Sequence, residues 1–235
     1  NVGIAFAIPA SVAKDVIEKL KDGGTVERGW LGVQIQPVTD DIADSLGLSE
    51  ASGALVVSPQ AGSPGEKAGI KQGDVVTAVN GEPVKDPRDL ARRIAAFAPD
   101  TTVDVALWRE GKATEVKVKL GELPTEQASA TEGTEEDAAP APAVEQELAN
   151  LGLSVRPSED GKGLAIVDVD PDSDAADKGM KAGETITSVN NQEVSSVADV
   201  QKVVDQAKKD GRTRALFQVQ SESGSRFVAL PINQG

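Results

Sequence analysis

The stretch Ala61-Gly62-Ser63-Pro64-Gly65-Glu66-Lys67-Ala68-Gly69-Ile70-Lys71-Gln72-Gly73-Asp74 decides the fold, because the chain carries it twice. Pro171-Asp172-Ser173-Asp174-Ala175-Ala176-Asp177-Lys178-Gly179-Met180-Lys181-Ala182-Gly183-Glu184 answers it at an offset of 110 residues. The offset holds onward: Val75–Gly81 answers to Thr185–Asn191, Leu90 to Val200 and Ile94 to Val204. A repeat this long implies two copies of one fold.

Working outward, the first copy reads as alternating short strands and helices. Val33 and Ile35 alternate with Gln34 and Gln36, which predicts a half-buried strand. A short helix is expected over 40–46, ended by Gly47, then a strand over 53–57. Ser63-Pro64 opens a helical turn that closes at Gly69. Val75–Val79 is a strand, and Asn80-Gly81 a hairpin turn. Pro87, behind the cap Asp86, starts a helix with Leu90, Ile94 and Phe97 on one face. Two strands, 101–108 and 114–120, flank the turn Glu110-Gly111. In the second copy strands are expected at 153–156, 164–169, 185–189, 213–220 and 227–231. The fold class is mainly β with helices: two modules, each a small, partly open β-barrel or sandwich capped by two helices.

Before the first copy stands Arg28-Gly29-Trp30-Leu31-Gly32-Val33-Gln34-Ile35, a glycine loop running into a strand. Its backbone NH groups can converge on an anion such as a carboxylate, and the strand can accept an extended peptide. The same residues also suit a plain tight turn.

Composition narrows the function. The formal net charge of -14 argues against nucleic-acid and anionic-membrane binding. The absence of histidine removes the usual general base and the His-dependent triads. No cysteine is present, so neither disulfides nor thiolate chemistry are available. No run of 18 or more apolar residues occurs. Residues 122–146 are acidic, rich in Ala, Pro and Thr and without Lys or Arg, which predicts a flexible linker. At the start, the apolar run Val2–Ile8 and the amphipathic stretch from Val12 to Lys21 read as a buried strand and a helix, the remnant of a preceding domain.

Gly29-Trp30-Leu31-Gly32-Val33, Ser63–Ile70, Gly73-Asp74-Val75-Val76 and Val79-Asn80-Gly81 resemble the PDZ domains of the HtrA/Deg family of serine proteases, the protease Do-like group. Asn1–Pro9 resembles the last strand of that family's chymotrypsin-like domain. The resemblance implies a protease remnant at 1–27, PDZ 1 at 28–121, the linker at 122–146 and PDZ 2 at 147–235. It implies a periplasmic parent that is a serine endopeptidase and chaperone, of which this chain would hold no catalytic residue, metal or cofactor. The expected partners are hydrophobic peptides and unfolded envelope proteins, together with the protease and PDZ domains of neighbouring subunits. Neither nucleic acid nor an integral membrane segment is expected.

Carried onto this sequence, Trp30, Leu31, Gly32 and Val33 form the carboxylate loop. Gln34, Ile35 and Gln36 pair with the ligand strand, and Leu31, Val33, Leu90 and Ile94 line its pocket. Arg28, Arg92 and Arg93 are either ligand-facing or solvated charges. Trp30 either extends the groove or anchors the segment before it. The corresponding second groove uses Leu151, Gly152, Leu153, Val200 and Val204. There Asn150 stands in place of Trp30 and Asn190-Asn191 in place of Asn80-Gly81, which favours docking over peptide capture. The acidic run Asp168, Asp170, Asp172, Asp174 lacks the glycine and glutamate of a calcium loop. Two competing readings are a purely structural oligomerisation module and an enzyme with Asp/Glu/Lys chemistry.

Overall fold

The computed structural model describes residues 28–122, 146–148, 151–158 and 161–232. The expected N-terminal remnant, 1–27, lies outside these, and the expected linker lies outside except at its ends, Glu122 and Gln146.

The first module runs β1 (Gly29–Trp30), β2 (Val33–Pro37), α1 (Asp40–Leu46), β3 (Ala54–Pro59), α2 (Pro64–Lys67), β4 (Val75–Val79), β5 (Glu82–Pro83), α3 (Pro87–Ala96), β6 (Thr102–Arg109), β7 (Lys112–Lys119) and β8 (Gly121–Glu122). The second runs β9 (Gln146–Leu148), β10 (Leu153–Pro157), β11 (Leu164–Val169), α4 (Asp174–Asp177), β12 (Thr185–Val189), β13 (Gln192–Glu193), α5 (Val197–Lys209), β14 (Arg214–Ser221) and β15 (Gly224–Pro231). The second module has the two expected helices. The first has a third, α1, capped by the Thr39 side chain and stopped at Gly47 in the left-handed region.

The main sheets are open, ordered β2-β3-β4-β6-β7 and β15-β14-β12-β11-β10-β9, with β5 and β13 as hairpin partners of β4 and β12. All strands pair antiparallel; β1 leaves the first sheet and pairs with β8. Each module buries its own core. Leu31, Val56, Val76, Leu90, Ile94, Val105 and Leu107 belong to one, and Leu153, Ile166, Ile186, Val200, Phe217 and Leu230 to the other.

One ion pair on a buried carboxylate recurs with a changed source. Asp74 accepts from Arg109 (2.7 and 2.6 Å) and from the Lys71 amide (2.7 Å). Glu184 accepts from Arg226 (2.6 and 2.9 Å) and from the Lys181 amide (3.0 Å). The carboxylates obey the repeat, but Arg109 ends β6 whereas Arg226 lies on β15, so aligning the copies does not reveal the pair.

A third apolar cluster joins the modules. Val38, Ile42, Ala43, Leu46, Leu55, Val57 and Val75 of the first meet Leu216, Phe227 and Ala229 of the second. The Gln36 side chain donates to the Phe227 carbonyl (3.1 Å) and accepts from its amide (2.9 Å). Arg212 donates to the Ser45 carbonyl (2.8 Å), Asp41 pairs with Arg214 (2.9 Å) and Lys178, and Gln72 bonds Gln218. Asn191 packs on Gly73, where an added Cβ would lie 2.0 Å from the Asn191 Oδ1. The second Asn of the Asn190-Asn191 turn is thus a contact between modules.

Candidate peptide-binding edge

The loop before β2 is held by its carbonyls. Gly65 at the start of α2 donates to the Leu31 carbonyl (2.8 Å), and Gln60 donates to that of Gly32 (2.9 Å). Gly32 lies at φ 71, and an added Cβ would meet Ser63 Cβ at 2.3 Å and the Trp30 ring at 2.9 Å. The Trp30 ring also lies against Gly121, so the indole braces the loop from behind. Ser63 caps α2 by accepting from Glu66, and the Glu66 carboxylate accepts from Gly62 (2.6 Å). A short capped helix therefore fixes where the loop points.

With the carbonyls turned inward, the amides of Leu31 and Gly32 have no hydrogen-bond acceptor among the described residues. β2 is an edge strand. The bond from Gln60 to Gly32 makes Val33 and Pro59 a non-hydrogen-bonded pair, so the Val33 backbone groups point away from β3. Val56 directs its amide to Asp74 and its carbonyl to Gly73. Its partner Ile35 therefore also offers its backbone to the open side. Gln34 and Gln36 take the alternate positions, paired with β3. Their side chains are engaged as well: Gln34 accepts from Ser58 (3.2 Å) and Gln36 holds Phe227.

α3 packs beside β2. Leu90 and Ile94 are buried, 1% and 4% exposed, in the core that Leu31 also joins and against which Val33 and Ile35 pack. Arg92 (2.5 Å) and Arg93 (3.0 Å) both bind Asp89, and Arg93 also reaches Glu82 (3.2 Å). Hydrogen bonds from Arg93 and then Arg92 hold the Asp89 carboxyl down to about 2. Arg92 thus pairs within its own helix, and Arg93 with its own helix and with β5. Arg28 is exposed.

The second loop has half of this bracing. Asp170 donates to the Gly152 carbonyl (2.9 Å), as Gln60 does to Gly32. Gly65 is replaced by Ala175. In the first module a Cβ at Gly65 would stand 2.9 Å from the Leu31 carbonyl oxygen, so a Cβ obstructs that bond. No bond to the Leu151 carbonyl occurs among the described residues. Leu151, Leu153 and Val200 are buried, and Val204 is half-buried. Val203 and Ala207, which the repeat did not single out, complete the buried face of α5. In the acidic run, the Asp170 side chain accepts from the Asp172 amide (3.0 Å), a local turn bond.

Comparison with known proteins agrees with this architecture. A PDZ domain model matches residues 29–120, and a second PDZ domain model matches 166–218. A relative from Rhizobium meliloti, named "Probable periplasmic serine endoprotease DegP-like", is 68% identical over 238 residues, covering 100% of this chain and 47% of its own length. One of the same name from Brucella suis biovar 1 is 54% identical over 235 residues, covering 100% of this chain and 45% of its own. The chain therefore spans about half the length of these curated relatives. Among solved structures, the HtrA-type protease AlgW with tripeptide matches with a TM-score of 0.50 and 30% identity, over 54% of this chain and 42% of that one. A variant of AlgW with decapeptide matches with a TM-score of 0.51 and 29% identity, over 55% and 40%. With PDZ models on both modules and DegP-like relatives aligned along its whole length, the chain matches the PDZ region of DegP-like proteins.

Proposed function

We propose that the first module captures hydrophobic C-termini or exposed segments of misfolded proteins by adding them as a strand to the open edge of β2. The observation that carries this reading is the row of outward backbone groups: the amides of Leu31 and Gly32, which have no acceptor among the described residues, followed by the backbone of Val33 and Ile35 turned away from β3. A terminal carboxylate accepts from the loop amides, and the ligand backbone pairs with Val33 and Ile35. The last ligand side chain packs beside Leu31 and Val33, over the helix that carries Leu90 and Ile94. The second module mainly assists assembly with neighbouring subunits. In this reading the whole protein is a periplasmic serine endopeptidase, in line with the names of the relatives, and it also acts as a chaperone in envelope quality control.

Calorimetric titration of the 235-residue chain with peptides ending in aliphatic residues tests the proposal. A peptide with a free carboxylate is expected to bind at least about tenfold more tightly than its amidated form, roughly 1.4 kcal/mol. Absence of binding across a pool of hydrophobic C-termini favours the alternative, a purely structural module.

A further inference from the structure

The two modules treat the edge beside their glycine loops differently. In the first, β1 turns away to pair with β8, and β2 is left open. In the second, β9 folds back and pairs with β10, with Leu148 opposite Leu153, Glu147 opposite Ser154 and Gln146 opposite Val155. The edge that corresponds to the open edge of β2 is therefore filled.

We propose that the second module holds a strand-binding site which its own chain occupies: Gln146–Leu148 is a built-in ligand of β10, and an extended peptide with an aliphatic last side chain enters only when this strand leaves. The proposal goes beyond the reading of the first module and does not depend on that module binding anything.

Direction is the first argument. β9 runs antiparallel to β10 with its C-terminal residue at the Leu151-Gly152 end. A peptide whose carboxylate sits at such a loop approaches in the same sense. Anchoring is the second. Leu148 is 5% exposed and belongs to the core cluster that contains Leu151, Leu153, Val200 and Val203. A single buried leucine at the end of the added strand supplies what a ligand's last side chain would. The third argument is how little holds the strand. β9 is three residues long, and Leu148 is its one apolar residue. Tethering gives it a high effective concentration, so it outcompetes weak external peptides. Any external affinity is reduced by the fraction of time the edge is open.

The chain has no cysteine, so engineered pairs report without background. Glu147 and Ser154 are directly opposite, a separation that suits a disulfide. The double variant Glu147→Cys/Ser154→Cys is expected to close intramolecularly on mild oxidation. The out-of-register pair Glu147→Cys/Arg156→Cys is expected to close at least about tenfold more slowly. Equal rates overturn the pairing.

Backbone amide NMR of the full chain then reads occupancy, with a peptide ending in leucine as the probe. In the unmodified chain the amides of Ser154 and Val155 are expected to stay unmoved, whatever happens at Val33 and Ile35. In Leu148→Ala they are expected to shift, with apparent affinity at this edge raised about tenfold or more. Shifts of β10 in the unmodified chain as large as in the variant overturn the proposal, as does no response in either. Adding the two cysteines to Leu148→Ala tests the same point: oxidation is expected to close β10 to the peptide and reduction to reopen it, and if access is equal in the two states the occupant is not β9.

Discussion

Gly32 and Gly65 show how two missing side chains build one loop. Gly32 occupies φ 71 with no room for a Cβ between Ser63 and Trp30, and Gly65 approaches the Leu31 carbonyl closely enough to donate to it. Gly32→Ala is therefore expected to strain the backbone and displace the indole, at a cost of about 1–3 kcal/mol. Chemical denaturation of the full chain checks the stability. Calorimetry with a hydrophobic C-terminal peptide is expected to show a parallel loss of affinity. A variant with unchanged stability would mean that the loop relaxes without cost. Asp89 makes a second residue-scale prediction. Its folded carboxyl sits at about 2, below its ordinary 3.8, because Arg93 and Arg92 bond to the charged form. A depressed carboxylate stabilises the fold above its unfolded value and loses that contribution as pH falls from about 3.8 through about 2. NMR titration should place the Asp89 midpoint near the lower figure, and Asp89→Asn should remove part of the acid sensitivity between them. A midpoint at the ordinary value would mean that the two arginines are solvated instead.

At the scale of elements, local chemistry was largely readable in the sequence. Asn80-Gly81 and Glu110-Gly111 form the expected turns, with φ 50 and 78 in the first and 50 and 78 in the second. β4, β11 and β12 occupy the expected spans, because alternation, glycine and proline mark strand ends through backbone geometry alone. What could not be read was what lies across each strand. The apolar run Ala54-Leu55-Val56-Val57 departs from alternation because both faces are covered: Ala54 and Val56 line the first core, and Leu55 and Val57 the contact between modules. Ala215-Leu216-Phe217 follows the same logic. The run signals two buried faces and cannot name the second partner. The loop was legible by its glycines, whereas the choice of Val33 and Ile35 as outward residues depends on a register shift between Gln34 and Ile35 relative to β3. β9 was equally hidden, since three residues carry no periodicity. At α5 the capping box of Ser196 and Asp199 secures the helix start. The Ser196 hydroxyl is also the first cause that lowers the Asp199 carboxyl below its ordinary value. Ser196→Ala should cost about 1 kcal/mol and speed amide exchange in the first turn of α5, while leaving β2 unchanged. Unaltered exchange would show that the flanking bonds to Asp199 suffice.

For the whole molecule, the question is which contacts hold the modules together. The ion pairs of Asp41 with Lys178 and Arg214 involve side chains 23–39% exposed, and such pairs are worth about 0–1 kcal/mol and weaken in salt. Ile42, Leu46, Leu55, Leu216 and Phe227 are each at most 7% exposed, and burial of one large apolar side chain is worth about 1.5–3 kcal/mol. The apolar cluster should therefore dominate. Asp41→Asn is expected to leave the modules packed, and so is raising the salt concentration. Ile42→Asp places an unpaired charge in the cluster and should separate them, because a buried carboxylate without a partner costs more than any ion pair at this contact returns. Small-angle scattering distinguishes the outcomes: the radius of gyration should stay constant for Asp41→Asn and for unmodified chain in high salt, and rise for Ile42→Asp. Separation also frees Gln36 from Phe227, so β2 should lose the clamp that ties the proposed peptide edge to the second module. Peptide affinity of the first module should then change in Ile42→Asp although no residue of the loop has been touched. If scattering reports separation and the affinity stays the same, the modules share a contact but not a coupling free energy.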